Sequence, residues 1–170
     1  MNDGRRWRIA LLVLSDKAAA GQREDECISA MRASLPADCD VVSERVLPDD
    51  RALIERSLID VCDSRAADCV LTSGGTGLGP RDVTPQATQA VGDYEVPGIA
   101  ETMRAGSVAR VPTAMLSRAV AAVRGKTLIV NLPGSPRGVR ETLSLMAGVL
   151  PHALAVLTGA AGEHPRDQVR

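Results

Sequence analysis

Apolar runs and helix-period segments alternate along this chain. Residues 8–14 (RIALLVL) are almost continuously apolar, the pattern of a strand covered on both faces. Residues 24–35 then place Cys27, Ile28, Met31 and Leu35 on one helical stripe. Residues 40–47 predict a second strand, ending at Pro48. Residues 51–63 predict the clearest helix, with Leu53, Ile54, Ser57, Leu58, Val61 and Cys62 on one face and Arg51, Glu55, Arg56, Asp60 and Asp63 on the other. A third strand follows at 69–72. Helices are expected at 84–91 and 99–108, separated by a turn at Val96-Pro97-Gly98. Residues 126–132 (KTLIVNL) predict another buried strand. Residues 137–157 read as helical with a break at Pro151, and 159–170 as a surface tail.

This alternation implies one α/β domain spanning 1–170, a three-layer arrangement with a mostly parallel sheet and helices on both faces. Ligands bind such sheets beyond the carboxyl ends of the strands, near a switch in strand order. Ser15-Asp16, Asp49-Asp50, the stretch 72–85 and the turn Pro133-Gly134-Ser135-Pro136 each follow a strand. They are therefore expected at one edge.

Residues 72–85 (TSGGTGLGPRDVTP) carry the densest chemistry. Gly74, Gly75, Gly77 and Gly79 bring backbone N–H groups close to a ligand. Arg81 adds a phosphate-pairing cation and Asp82 a carboxylate able to hold a metal. The loop lacks GxxxxGK[ST], and a GxGxxG match begun at Gly75 ends on Pro80, so it is neither a Walker nor a Rossmann loop. Ser135 and Pro136 form a helix start whose free N–H groups face the same edge. Of the pair Asp49-Asp50, Asp50 most simply caps the helix that follows. Asp49 is then left free to join Asp82 in coordinating Mg²⁺ between phosphate oxygens. Ser117 and Arg118 read by default as surface residues.

Composition narrows the setting. The chain has 170 residues, 45% of them hydrophobic, enough to bury roughly 70% of its unfolded surface. A formal net charge of −1 and only one Trp, one Tyr and no Phe argue against nucleic-acid binding. No apolar run approaches the ~18 residues that span a bilayer, so no membrane role is expected. The apolar run after Arg5-Arg6 reads as the first strand of a cytoplasmic protein rather than a signal peptide. Cys27, Cys39, Cys62 and Cys69 show no zinc spacing and suit a reducing compartment. His152 and His164 read as surface or helix-end residues.

Six ordered motifs carry a resemblance. These are Ser15-Asp16 with Gly21 and Asp25; Leu47-Pro48-Asp49-Asp50; residues 72–77 with 81–85; Val96-Pro97-Gly98 with Glu101; residues 112–118 (PTAMLSR); and 131–136 (NLPGSP). Together they resemble the MogA/MoaB family of molybdenum-cofactor biosynthesis over about residues 8–164. The resemblance implies a trimeric α/β protein that transfers AMP from ATP to the terminal phosphate of molybdopterin, releases pyrophosphate and requires Mg²⁺. It implies Asp49 and Asp82 as catalytic and metal-holding residues. Thr72, Gly74, Gly75, Thr76, Gly77, Arg81, Pro133, Gly134 and Ser135 would form the nucleotide and phosphate cradle, and Ser15, Asp16 and Ser117 would contact substrate. The pathway's molybdenum-inserting enzyme is the implied partner. The alternative is a MoaB-type, non-enzymatic molybdopterin-binding or scaffold protein on the same fold.

Overall fold

The computed structural model describes residues 5–160. Its elements run β1 (Trp7–Leu14), α1 (Asp16–Ala19), α2 (Cys27–Ser34), β2 (Cys39–Leu47), α3 (Arg51–Asp63), β3 (Cys69–Ser73) and α4 (Thr84–Val91). Then come β4 (Tyr94–Glu95), α5 (Pro97–Val108), a 3₁₀ turn (Pro112–Leu116), β5 (Ala121–Arg124), β6 (Thr127–Leu132), α6 (Pro136–Met146) and α7 (Leu150–Thr158). The six strands form one sheet in the order β2-β1-β3-β6-β5-β4. The pairs β2–β1, β1–β3 and β3–β6 are parallel; β6–β5 and β5–β4 are antiparallel.

Side-chain alternation along β1 builds two cores. Trp7, Ile9, Leu11 and Val13 join Leu71 and Val130 in packing against α2, α5, α6 and α7, through Met31, Met103, Leu143 and Leu154. Ala10, Leu12 and Leu14 join Val70 and Ile129 on the opposite face, against Ile54 and Leu58 of α3 and Ala87 of α4. Strands buried on both sides need continuous apolar runs, which is why β1, β3 and β6 were legible as such. Each fully buried Leu or Ile contributes about 1.5–3 kcal/mol.

Asp50 caps α3, accepting from the Leu53 N–H at 2.9 Å. Asp25 caps α2 through the Cys27 and Ile28 N–H groups, so that helix starts at Cys27 rather than residue 24. Pro97 sits in the first turn of α5, where its missing N–H costs nothing, and not in a turn before the helix. The antiparallel edge made by β4 and β5 was not expected. Its strands are two and four residues long, and the tight Gly125-Lys126 loop between β5 and β6 has Gly125 at φ +57°. Helix α7 ends at Gly159 in the left-handed conformation. The expected tail at 159–170 otherwise lies almost wholly outside the described residues, as does His164. Among the described residues no single helix is long and apolar enough to cross a membrane.

Candidate functional site

The order β2-β1-β3 reverses direction at β1, and the carboxyl ends of β1, β3 and β6 meet there. Short bonds lock their loops together. The Ser15 N–H donates to the Leu47 carbonyl at 2.9 Å, the Gly74 N–H to Leu132 at 3.3 Å, and the Ser73 hydroxyl to the Pro133 carbonyl at 2.8 Å. A β-carbon on Gly134 would lie 3.1 Å from the Gly74 Cα, and one on Gly74 (φ +107°) only 2.2 Å from the Leu14 carbonyl oxygen. Glycine is therefore required where these backbones cross.

Past the crossing, Gly75 takes φ +64°, and a β-carbon there would lie 2.3 Å from the Thr84 Oγ1. That buried hydroxyl donates to the Gly74 carbonyl at 2.9 Å and fixes the loop to the start of α4. Among the described residues the N–H groups of Gly75, Thr76, Gly77 and Leu78 have no acceptor within the protein. Four successive unspent donors on a glycine-rich turn are an anion-binding device.

Three acids surround the loop. Asp49 and Asp16 bind one another's backbone: Asp16 N–H donates to Asp49 Oδ2 at 3.1 Å, and Asp49 N–H to Asp16 Oδ1 at 3.0 Å. The other Asp49 oxygen, Oδ1, is buried without a partner and would lie 3.2 Å from a Gly75 β-carbon. Burial, with the Asp16 charge adding to it, pushes the Asp49 carboxyl above its ordinary range, against the pull of its bond to the Asp16 N–H. Asp16 is held below that range by the Arg81 guanidinium, which donates to both its oxygens at 2.8 and 3.0 Å. Asp82 turns back under its own loop, where its Oδ2 accepts from the Gly79 N–H at 2.7 Å.

Two depressions flank the Gly74–Gly134 crossing. The larger, about 460 Å³, is walled by α5, the 3₁₀ turn and the start of α6, with Thr76, Gly77, Ser117, Pro133, Gly134 and Ser135 among its lining. The smaller, about 160 Å³, takes in Ser15, Asp49, Gly74, Gly75 and again Gly134. The structure thus brings most of the sequence-derived residues to one edge. Thr72 instead is fully buried beneath it, bonded by the Asn131 amide that also reaches Thr88. Asp16, Arg81 and Asp82 line neither depression. Ser135 caps α6 through the Gly138 N–H. Ser117 accepts from the Ala119 N–H at 3.3 Å while facing the larger cavity.

Sequence reasoning read Arg118 as a surface residue, whereas it bonds the loop's carbonyls, and passed over Arg104, whose Nη1 donates to the Ala119 carbonyl at 2.8 Å. For Arg118 the signal was an arginine in an otherwise apolar segment; Arg104, three residues after Glu101, carried none.

Comparison with known proteins agrees with this geometry. The family model described as a probable molybdopterin binding domain matches residues 10–152. The chain is 45% identical over 139 residues to molybdopterin adenylyltransferase of Escherichia coli K12, covering 80% of this chain and 71% of that protein. It is 40% identical over 167 residues to the protein of that name from Haemophilus influenzae, covering 89% and 85%. The crystal structure of the molybdopterin biosynthesis enzyme MoaB from Thermus thermophilus superposes with a TM-score of 0.86 at 47% identity, covering 90% of this chain and 97% of that one. On its fold, its motifs and these relatives, the chain belongs to the MogA/MoaB family of molybdenum-cofactor biosynthesis.

Proposed function

We propose that the chain is a molybdopterin adenylyltransferase, joining AMP from ATP to the terminal phosphate of molybdopterin. The observation that carries this reading is the run of unspent N–H donors at 75–78 beside the partnerless Asp49 Oδ1, in a chain 40–45% identical to proteins of that name. The enzyme is a nucleotidyltransferase of molybdenum-cofactor biosynthesis.

An oxygen of the molybdopterin phosphate attacks the α-phosphorus of ATP. A new P–O bond forms, the α–β bridging P–O bond breaks, and pyrophosphate leaves with that electron pair. Bringing two anions together demands charge neutralisation and in-line positioning more than covalent help. The loop N–H groups and the start of α6 would hold the phosphate oxygens, and the two depressions would take the two substrates with their phosphates meeting at Gly134. Arg81 stands exposed on the glycine loop, outside both depressions. Its ion pair with Asp16 is open to solvent, so a phosphate can replace the carboxylate at little cost.

The donor set fits magnesium. Among the described residues, Asp49 and Asp82 each keep one oxygen without a hydrogen-bond partner, and Mg²⁺ characteristically takes one or two carboxylates together with substrate phosphates. Asp49 and Asp82 would hold the ion, which supplies charge neutralisation between the phosphates.

Cytoplasmic location is supported by four free cysteines. Trimeric assembly rests on the family resemblance and suits exposed apolar side chains such as Met115, Val149 and Val156. The pathway's molybdenum-inserting enzyme is the partner class that would take the product. ATP- and magnesium-dependent conversion of molybdopterin to its adenylylated form is the deciding assay. The alternative is a protein on the same fold that binds molybdopterin without turning it over. Tight molybdopterin binding without turnover would favour that alternative.

A further inference from the structure

The glycine loop is held from behind by a cation that lines neither depression. Arg118 follows the 3₁₀ turn, and its backbone N–H donates to the Thr76 carbonyl at 2.9 Å. Its side chain reaches the same loop, Nε donating to the Gly77 carbonyl at 2.6 Å and Nη2 to the Asp82 carbonyl. Among the described residues no carboxylate pairs with this guanidinium, whereas Arg81 is paired with Asp16.

Peptide geometry gives these bonds a consequence. In a trans peptide the C=O of one residue and the N–H of the next point in opposite directions, and the described chain has no cis bond. With the Thr76 and Gly77 carbonyls turned toward Arg118, the N–H groups of Gly77 and Leu78 are turned away from it. Both lack an acceptor in the protein, and Thr76 and Gly77 line the larger cavity while Arg118 does not. A cation against the carbonyl end of a peptide also strengthens its N–H as a donor.

We infer that Arg118 is a positioning residue for the nucleotide, setting the 76–78 peptides with their N–H groups toward the phosphates and transmitting its charge through them without touching ligand. This rests on the adenylyltransferase reading in taking ATP as the ligand. The Arg118 bond to the Asp82 carbonyl also fixes where that acid sits.

The test compares wild type with Arg118→Ala, Arg118→Gln and Arg118→Lys. ATP affinity is measured by calorimetry with magnesium, and amide shifts by NMR during pyrophosphate titration. Arg118→Ala should weaken ATP binding ~10–100-fold, the scale of losing one hydrogen bond to a charged group. The KM for ATP should rise in step and kcat should fall with it, because Asp82 loses its anchor too, with little change in the KM for molybdopterin. Added methylguanidinium should restore affinity. Pyrophosphate should shift the Leu78 amide in wild type but not in Arg118→Ala, while the Gly77 amide, whose peptide is held by the residue-118 backbone N–H, should respond in both. Arg118→Lys, keeping the charge but not the fork, should fall between wild type and Arg118→Gln. Wild-type ATP affinity in the alanine variant would overturn the inference. So would losses spread evenly over ATP, molybdopterin and melting temperature. Should the alanine variant not fold, wild-type affinity and an unaltered Leu78 shift in Arg118→Lys would overturn it. A wild-type protein that binds ATP with these shifts but makes no product would remove the proposed activity and leave the role of Arg118 standing. One that binds no ATP removes both.

Discussion

Asp16 and Asp49 hold each other's backbone reciprocally, and in doing so leave a single Asp49 oxygen buried and unbonded. A buried carboxylate oxygen without a donor is a cost that folding alone does not recover. Under the proposed function, a bound cation and phosphate would satisfy this oxygen and the unspent loop N–H groups beside it.

Asp49→Asn should separate activity from stability. Because burial raises the folded carboxyl above its unfolded value, the protonated form is favoured by folding. That contribution is present below pH 3.8 and lost as pH rises through the folded value, so the ionised group weakens the free protein at neutral pH. The variant should therefore melt at a slightly higher temperature while AMP transfer falls at least ~100-fold. Calorimetric melting and the transfer assay, run at neutral pH without and with magnesium respectively, check the two halves. An active variant would release Asp49 from the proposed role.

Asp82→Ala should abolish AMP transfer for two reasons at once. It removes a carboxylate from the loop and frees the Gly79 N–H that it accepts. The lost bond should cost about 0.5–1.5 kcal/mol, small enough for the protein to remain folded. Denaturant titration measures that cost, and retained turnover would show that the turn, not the acid, is what matters.

Gly74→Ala and Gly75→Ala should differ in kind. At Gly74 the new carbon meets a backbone carbonyl 2.2 Å away, which cannot yield without moving β1 from β3, so little soluble protein is expected. At Gly75 the obstruction is the Thr84 hydroxyl at 2.3 Å. Gly75→Ala should fold, lose about 1–3 kcal/mol from strain and displacement, and bind ATP poorly. Expression yield, melting and nucleotide calorimetry distinguish them.

Acid stability should depend on Asp68, far from the site. Burial would raise this carboxyl, but the Arg8 side chain and N–H donate to it at 2.9–3.3 Å and hold it below 3.8. A lowered folded value means that its stabilisation is present above pH 3.8 and disappears as pH falls through the folded value. Asp68→Asn should flatten the pH dependence of melting below about pH 4 and leave ATP affinity at neutral pH unchanged. An unaltered acid limb would exclude this pair as its source.

What the sequence made legible follows from what each signal measures. The doubly covered strands β1, β3 and β6 and the helix α3 were read almost to the residue, because burial imposes a periodicity that the side chains display. Strand β5 (Ala121–Arg124) and the two-residue β4 carry too few side chains to show a period, and are held by their neighbours instead. At the site, Gly74, Gly75 and Gly134 were readable as glycines of a ligand-facing backbone, and the structure adds that Gly74 and Gly134 sit where backbones cross and Gly75 against the Thr84 hydroxyl. The pairing of Arg81 with Asp16, 65 positions away, was not readable, and neither was the reach of Arg118 to Gly77. Those partnerships arise from chain folding, and a charged residue's type does not say which neighbour it meets.

The crossing of the β1, β3 and β6 loops has a consequence for how this protein comes into being. Its pocket draws on positions as far apart as Ser15 and Gly134, so no fragment and no half-paired intermediate possesses it. Parallel pairings of such separation are late and slow events in folding. A substrate seated there would tie three strand ends together and recognise only the finished sheet. At a hundred times its dissociation constant it would add about 2.7 kcal/mol to the whole domain. Such a substrate would then act as a chaperone of the completed fold, its loss felt in the protein's stability as well as in its chemistry.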